Sequence, residues 1–197
     1  WRPPGIVAAL AALALVPLEM AGFANGQLPL RLAAGAYAIG WLWLAFLFYR
    51  LIRMSAADDK LHAILVLGAQ LAGASAVAAF ALFGPSAHAW VKGAGLWAFL
   101  LPVFVTVCHR MIPFFTASVA PFASAFRPTW LLAAMIAAPV AHGALDGMEQ
   151  TAWTWIVDLP AAALMLWLTI RWGFAQSLAN RLLAMLHIGF AWYGIGF

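Results

Sequence analysis

LHAILVLGAQLAGASAVAAFALF, residues 61–83, is the stretch of sequence that decides the fold. It contains no Asp, Glu, Lys or Arg, and it is much longer than a strand of a globular protein. An apolar run of about 18 or more residues with almost no charge is typical of a helix that spans a membrane. A strand of a membrane barrel would instead alternate polar and apolar residues over about 10 positions. This run does not alternate, so it predicts a transmembrane helix.

Runs of the same kind recur along the 197-residue chain, and they predict an all-α, polytopic transmembrane helix bundle with about seven spans. Hydrophobic residues make up 66% of the chain and charged residues 8%, whereas soluble domains carry about 25% charged residues. No segment has the composition of a separate soluble domain, so we predict one transmembrane domain over 1–197, in contact with the lipid bilayer. The predicted spans are 5–24, 32–52, 61–83, 93–109, 129–147, 152–170 and 182–197.

Small residues recur every four positions in the run 61–83. Gly68, Ala72 and Ala76 form one such series, and Ala69 and Gly73 form another. Lipid gives no hydrophobic drive between helices, so faces of small residues that let backbones approach are the usual contacts. We therefore expect this helix to pack closely against its neighbours.

The basic residues lie mostly on one side of the predicted spans. Because Lys and Arg concentrate in cytoplasmic loops, this bias places the N-terminus of the chain in the cytoplasm. The bases anchor helix ends, and nothing in their arrangement indicates a nucleic-acid partner. The N-terminal side holds Arg2, Arg50, Arg53, Lys60, Arg110, Arg127, Arg171 and Arg181, and the other side holds Arg31 and Lys92.

The longest predicted connection, 110–128, is itself apolar and contains Pro113, Pro121 and Pro128. A loop of this composition would not lie freely in water, so we expect it in the headgroup layer or packed under the bundle. Pro113 and Pro121 argue against a single unbroken helix through it.

Histidines near the cytoplasmic side are the first candidate site. His62 begins the third span, His109 ends the fourth, and His187 lies about 9 Å into the seventh, from the 1.5 Å rise per helical residue. Three imidazoles at similar depth would suit one metal centre, since imidazole binds iron, copper and zinc and is a common ligand of haem iron. The alternatives are an interfacial His62, a helix-end His109 and an interhelical hydrogen bond at His187.

Polar residues on the opposite side are a second candidate site. His142 and Asp146 are four apart on one helix and face the same way. They form either an ion pair or a metal-ligating imidazole oriented by a carboxylate. Glu19 and Asp158 stand near Pro17 and Pro160, where freed carbonyls add acceptors, so a proton path is a further alternative. The remaining members of this group are His88 and Glu149.

Two segments resemble motifs of the NnrS family. HRMIPFFT, residues 109–116, resembles the family's Arg-x-Ile-Pro-Phe-Phe-Thr motif, which Arg110, Pro113, Phe114 and Phe115 match. LAMLHIGFAW, residues 183–192, resembles a later Leu-x-x-Leu-His-x-Gly-Tyr/Phe-x-Trp segment, and the preceding Arg171-Trp172 also fits. The order and spacing of the segments agree with the family over about 100–197, and 1–99 agrees in hydropathy.

The resemblance implies a bacterial inner-membrane protein of about twelve spans that contains haem and copper and is linked to nitric oxide and denitrification. It makes His187 the leading haem or copper ligand. Together with the polar residues placed above, the cofactor-binding candidates are His187, His109 and Arg110, and the metal candidates are His187, His109, His142 and His62. The last run is still apolar at Phe197. We also do not find the family's His-rich Glu-Met segment or its late Gly-His-Thr-Gly-Arg segment. We therefore expect this chain to be part of a longer protein.

Two other functions remain open from the residues alone. A proton-coupled transporter is indicated by Glu19 and Asp158 beside prolines, since acidic residues and broken helices mark such sites. An accessory subunit of a larger membrane complex is compatible with the low charge and the long apolar connection. The sequence does not decide whether nitric oxide is turned over, sensed or only bound.

Overall fold

The structure of this chain is a computed structural model that describes residues 27–56, 60–119 and 126–197. Within these ranges the secondary structure is helical and contains no strand, so the predicted all-α membrane helix bundle is confirmed. The predicted span 5–24, with Glu19, lies outside the described residues. The chain divides between Leu100 and Leu101 into two compact units. The single domain expected over 1–197 stays a prediction.

The first unit contains two long helices and a chain reversal. Helix α1 is Gln27–Met54 and α2 is Leu61–Phe83. A 3-10 turn, Gly84–Ala87, leads into the short helix α3, His88–Lys92, and then into a π-helical segment, Gly93–Leu100. The predicted spans 32–52 and 61–83 thus fall on α1 and α2, and the bounds of α2 are those expected from the apolar run.

Close contacts at small residues show how α2 packs in this unit. A Cβ atom added at Gly73 would lie 2.9 Å from the Phe99 ring and 3.1 Å from the Trp41 ring. Gly95 approaches Ala76 in the same way, with 3.8 Å between an added Cβ and the Cβ of Ala76. In one straight helix these two residues would be about 28 Å apart, so the π-helical segment folds back on α2. The expected small-residue contact is confirmed at Gly73 and Ala76, while Gly68 is exposed.

Arg31 closes the open end of the α1–α2 hairpin. Its Nε donates to the carbonyl of Ala81 over 3.0 Å, and its Nη2 donates to the carbonyl of Leu82. The last carbonyls of a helix have no partner within the helix, and a cation there also suits the helix dipole. This contact gives Arg31 a structural role at the end of the hairpin.

The second unit contains α4, Leu101–Val119; α5, Thr129–Gly147; a 3-10 turn, Thr151–Trp153; α6, Trp155–Arg171; α7, Phe174–Ser177; and α8, Arg181–Ile195. Helix α4 packs on α5 and α8, and α6 packs on α5 and α8. Asn180 begins α8 by accepting hydrogen bonds from the backbone N–H groups of Leu182 and Leu183, a standard N-cap. The centre of the unit is a cluster of buried side chains, namely Val105, Cys108, Ile112, Leu131, Met135, Met165, Leu168, Trp172 and Phe190.

The fourth span is longer than the sequence predicts. We expected it to end at His109, but α4 continues ten residues further, through Pro113 to Val119. Pro113 removes one N–H, and that leaves only the His109 carbonyl without its helical donor. The hydrogen bonds on either side persist, and Ile112 and Thr116 become buried in the unit. This part of the predicted connection 110–128 therefore belongs to the helix rather than to a loop.

Three helical stretches of the described residues are long and apolar enough to cross a membrane: Leu28–Met54, Leu61–Ser118 and Thr129–Gly147. The second includes the reversal between α2 and the π-helical segment, and the third coincides with the predicted span 129–147. The helices that match the predicted spans 152–170 and 182–197 are α6 and α8, which are shorter. The chain is therefore a membrane protein, and its total of seven spans stays a prediction.

Candidate functional site

The segment 126–128, just before α5, is held in place by His109 of the first motif and by Arg171 and Trp172, which precede the second motif. Trp172 donates from Nε1 to the Phe126 carbonyl over 2.8 Å, and His109 donates from Nε2 to the Pro128 carbonyl at 3.3 Å. The Arg171 guanidinium carbon lies 5.6 Å from the centre of the Phe126 ring, a cation–π distance. Trp172 and His109 each donate to a part-buried carbonyl, and the Pro128 carbonyl also accepts from the Leu131 N–H. These contacts give His109, Arg171 and Trp172 an anchoring role.

Aromatic rings connect His109 to α8 through Trp172. The Trp172 ring lies 6.4 Å from the His109 ring and 5.0 Å from the Phe190 ring, measured between centroids. His109 and Trp172 are each 1% exposed, and Phe190 is fully buried. The first and second motif segments, 81 positions apart at His109 and Phe190, therefore meet in one core.

His187 is the other buried imidazole of this core. It has no exposed surface, and its Nε2 lies 3.0 Å from the hydroxyl oxygen of Thr116 on α4. The Thr116 hydroxyl donates its one proton to the Ile112 carbonyl over 2.9 Å. The Thr116 oxygen therefore contacts Nε2 of His187 with its lone pairs. The other ring nitrogen, Nδ1, is buried and has no hydrogen-bond partner among the residues that the structure describes.

A left-handed glycine lets the chain pass close to Thr116. Gly173 joins α6 to α7 with φ +89° and ψ 46°, a conformation that residues with a side chain rarely adopt. A Cβ added at Gly173 would also lie 3.0 Å from Thr116 Cγ2. Next to it, the Phe174 ring lies 6.3 Å from the His187 ring. The α6–α7 turn thus covers the Thr116–His187 pair.

An apolar groove runs beside the same helices. It has a volume of about 310 Å³ and is lined by one face of α4 and the first turns of α8. Leu183 and Leu186, which line it, precede His187 by four residues and one residue. The only polar residues of its lining are Ser118 and Asn180. The groove therefore lies on the helices that carry Thr116 and His187, and most of the residues that line it are apolar.

The second candidate group is centred on an interhelical pair. His142 on α5 donates from Nδ1 to Oδ1 of Asp158 on α6 over 2.7 Å, and their side chains are 20% and 12% exposed. The carboxylate at Nδ1 of His142 is thus Asp158, and the pairing of His142 with Asp146 stays a prediction. Asp146 has an interaction of its own. The pair joins α5 to α6 in a part of the chain where charges are rare.

The remaining predicted residues are His62 and His88 of the first unit and Arg110 and Glu149 of the second. His62 is half-buried in the first turn of α2, and His88 is exposed at the start of α3, both in the first unit. Arg110 is exposed on α4. Glu149 is exposed in a left-handed conformation, φ 60°, just after α5. Glu149 therefore lies in the turn that ends α5.

No group of three or more His, Cys, Asp and Glu side chains within 27–56, 60–119 and 126–197 is placed to hold one metal ion. His109 and His187 share the second unit, and His62 belongs to the first. The convergence of His62, His109 and His187 on one metal stays a prediction.

Thr116 is the functional candidate that sequence reasoning missed. It is the last residue of the motif 109–116, so its presence in a motif was the available signal. Threonine is common in membrane helices, where its hydroxyl usually bonds to the carbonyl four residues earlier, as Thr106 and Thr169 do here. Apart from its place in that motif, nothing in its local sequence distinguishes Thr116 from those two residues.

Comparison with known proteins extends the resemblance to nearly the entire chain. A family model described as NnrS protein matches residues 2–197. The match includes the first hundred residues, for which hydropathy was the only agreement found from the sequence. Searches of the curated proteins and of the solved structures found no match.

Proposed function

The chain belongs to the NnrS family, and on that premise we propose that it is a haem-binding protein of the bacterial inner membrane that acts in the response to nitric oxide. His187 is the residue proposed to bind the haem iron. Copper binding and a place in denitrification belong to the same proposal, as the family resemblance implies. The N-terminus of this chain is proposed to face the cytoplasm, as eight basic residues on one side against two on the other indicate.

The observation that carries the proposal is the unpaired nitrogen of His187. A buried polar atom without a hydrogen bond costs free energy, and each such atom in a folded protein calls for an explanation. A neutral imidazole with a free lone pair is the form that binds a metal. Nδ1 of His187 is a buried nitrogen without a partner among the described residues, so this histidine fits one that would bind haem iron.

The donor set supports haem more than copper. A porphyrin supplies four nitrogens of its own, so one histidine is enough to hold its iron, as in the globins. A copper ion held by protein side chains needs several ligands at once. The described residues contain no such group of three, so a copper site would need ligands beyond them.

The surroundings of His187 also suit a haem pocket. Phe174 lies beside the imidazole. The groove between α4 and α8, which Leu183 and Leu186 line, is mostly apolar. Haem is largely apolar, and a low dielectric around it helps to set how its iron reacts. When bound, the haem iron would supply a coordination site for nitric oxide. The protein's own residues would orient the ligand histidine and exclude water.

The visible spectrum of the purified protein tests this proposal. The wild-type chain in mild detergent should show a Soret band that shifts on reduction and again on addition of nitric oxide. His187→Ala should lose or shift that band, and His88→Ala, which changes an exposed histidine, should keep it. A copper assay on the same samples measures the second metal. A Soret band unchanged in His187→Ala would refute the ligand assignment.

A proton-coupled carrier is the second candidate, and the His142–Asp158 pair is the observation that favours it. Ionisable pairs inside membrane helices mark proton relays and ion pathways. Pro160 follows Asp158 by two residues inside α6 and leaves one backbone carbonyl of that helix without its helical donor. Proton uptake in liposomes that Asp158→Asn abolishes would favour the carrier, especially in a preparation that binds neither haem nor copper after haem supplementation.

A further inference from the structure

We propose that Thr116 is a positioning residue for His187: it holds the imidazole as the Nε2–H tautomer and so presents Nδ1 as the atom that binds the metal. The second half of this inference, metal binding at Nδ1, rests on the proposed function. The first half concerns the protein alone and can be tested without any bound cofactor.

The argument begins with the single proton of the Thr116 hydroxyl. That proton is directed to the Ile112 carbonyl, one helical turn earlier on α4, at 2.9 Å. The oxygen therefore has only lone pairs left for His187, 3.0 Å away on α8. A contact between two lone pairs would be repulsive. The His187 ring must consequently carry its proton on Nε2.

The tautomer fixes the chemistry of the other nitrogen. A neutral imidazole with a proton on Nε2 has an unprotonated Nδ1, and this atom accepts or coordinates but does not donate. In His187 it is buried and without a hydrogen-bond partner in the described part of the chain. Metal-binding histidines commonly have their second nitrogen fixed by a hydrogen bond in this way. Thr116 supplies that hydrogen bond here.

The geometry around Thr116 is itself constrained. The turn at Gly173 passes 3.0 Å from Thr116 Cγ2, measured to an added Cβ, so the methyl group is held on that side. Threonine has a stiff first side-chain torsion. With the methyl group packed against the turn and the hydroxyl bonded to Ile112, the acceptor lone pairs are fixed toward His187.

Thr106 offers a matched control on the same helix. It is 2% exposed, against 1% for Thr116, and its hydroxyl also donates to the carbonyl four residues earlier, that of Pro102, at 2.6 Å. The structure gives it no histidine partner. Thr106→Val and Thr116→Val therefore remove the same kind of backbone hydrogen bond from α4, and only Thr116→Val removes an acceptor from His187.

The decisive measurement is the nitrogen NMR spectrum of His187 in the full 197-residue chain, prepared in detergent from haem-limited cells with labelled histidine. His187→Gln identifies the resonances. We expect a protonated Nε2 and an unprotonated Nδ1 in the wild type, in Thr106→Val and in Thr116→Ser. Thr116→Val should lose this single-tautomer pattern. A proton on Nδ1 in the wild type, or an unchanged spectrum in Thr116→Val, would overturn the inference.

Haem titration of the same variants separates this inference from the proposed function. Loss of a hydrogen bond behind a metal ligand typically weakens binding about 10–100-fold. We expect a loss of this size in Thr116→Val, near wild-type binding in Thr116→Ser, and near wild-type binding in Thr106→Val. If the wild type binds no haem, the proposed function fails while the nitrogen spectrum still decides the tautomer. If haem binds equally well to wild type and Thr116→Val, the positioning role is refuted.

Discussion

His142 on α5 and Asp158 on α6 form a hydrogen-bonded pair, with 2.7 Å between Nδ1 and Oδ1. Both side chains are mostly withdrawn from the surface, at 20% and 12% exposure. Removing one partner leaves the other polar group poorly solvated, which costs more than the pair itself contributes. The pair therefore restricts which faces of α5 and α6 can meet.

A double-mutant cycle on this pair should reveal strong coupling. We expect His142→Phe and Asp158→Leu each to destabilise the protein, and the double variant to recover part of the loss, with a coupling free energy of about 1–3 kcal/mol. The measurement is the unfolding midpoint in detergent. Glu149→Gln, which removes a carboxylate charge at an exposed position of the same unit, should be neutral. Additive single effects would contradict the pairing.

Replacing His109 should reduce stability and leave the cofactor spectrum in place. His109→Leu removes one of the two donors to the Pro128 carbonyl, which keeps its bond from the Leu131 N–H, and the loss of one such hydrogen bond costs about 0.5–1.5 kcal/mol. We therefore expect a lower unfolding temperature together with an unchanged Soret band. The matched change at an exposed histidine, His88→Leu, should alter neither property. A lost Soret band with unchanged stability would instead make His109 a ligand, as the sequence predicts.

Two glycines on α8 should respond differently to alanine. A Cβ added at Gly194 would lie 2.9 Å from the Met165 Cβ on α6, whereas nothing lies within 4 Å of one added at Gly189. We expect Gly194→Ala to destabilise the second unit by about 1–3 kcal/mol through overpacking. Gly189→Ala should be neutral or stabilising, because alanine favours a helix by about 1 kcal/mol over glycine. Equal effects on the unfolding midpoint would show that α6 and α8 do not pack as described.

Cysteine labelling should establish the orientation in the membrane. Ser55 follows α1 and Ser86 lies in the turn after α2; both are exposed, whereas the native Cys108 is 1% exposed and gives little background. In intact cells a membrane-impermeant thiol reagent should modify Ser86→Cys and not Ser55→Cys. The proposed orientation places Ser55 in the cytoplasm because Arg50, Arg53 and Lys60 flank it. The opposite labelling pattern would invert the proposal.

The helices could be predicted where the hydropathy of the local sequence alone sets where they begin and end. The run 61–83 and the run 129–147 have the bounds of α2 and α5, because each apolar stretch is bordered by charged residues, glycine or proline. The end of the fourth span was missed for a physical reason. Pro113 was given its usual weight as a helix breaker, but the helix tolerates one missing hydrogen bond when Ile112 and Thr116 on either side are buried.

The candidate site was predictable in its histidines and not in their partners. His187 and His109 could be chosen from the sequence because an imidazole in a membrane helix is costly and lies within a recognisable motif. Thr116 looked like any threonine of a membrane helix. For His142, the sequence offers Asp146 on the same helix, whereas the contact at Nδ1 comes from Asp158 on the next helix.

The sequence by itself determined that this is a membrane protein, that its fold is all-α, and that it belongs to its family. Hydropathy and motifs are properties of the local sequence, so they can be recognised without the tertiary structure. Only the tertiary structure decided which polar atoms meet, since Thr116 and His187 lie 71 positions apart, and His142 and Asp158 lie 16 apart. Those contacts depend on the rotation of each helix about its axis. That rotation is fixed by side-chain packing between segments distant in sequence, such as Gly194 against Met165.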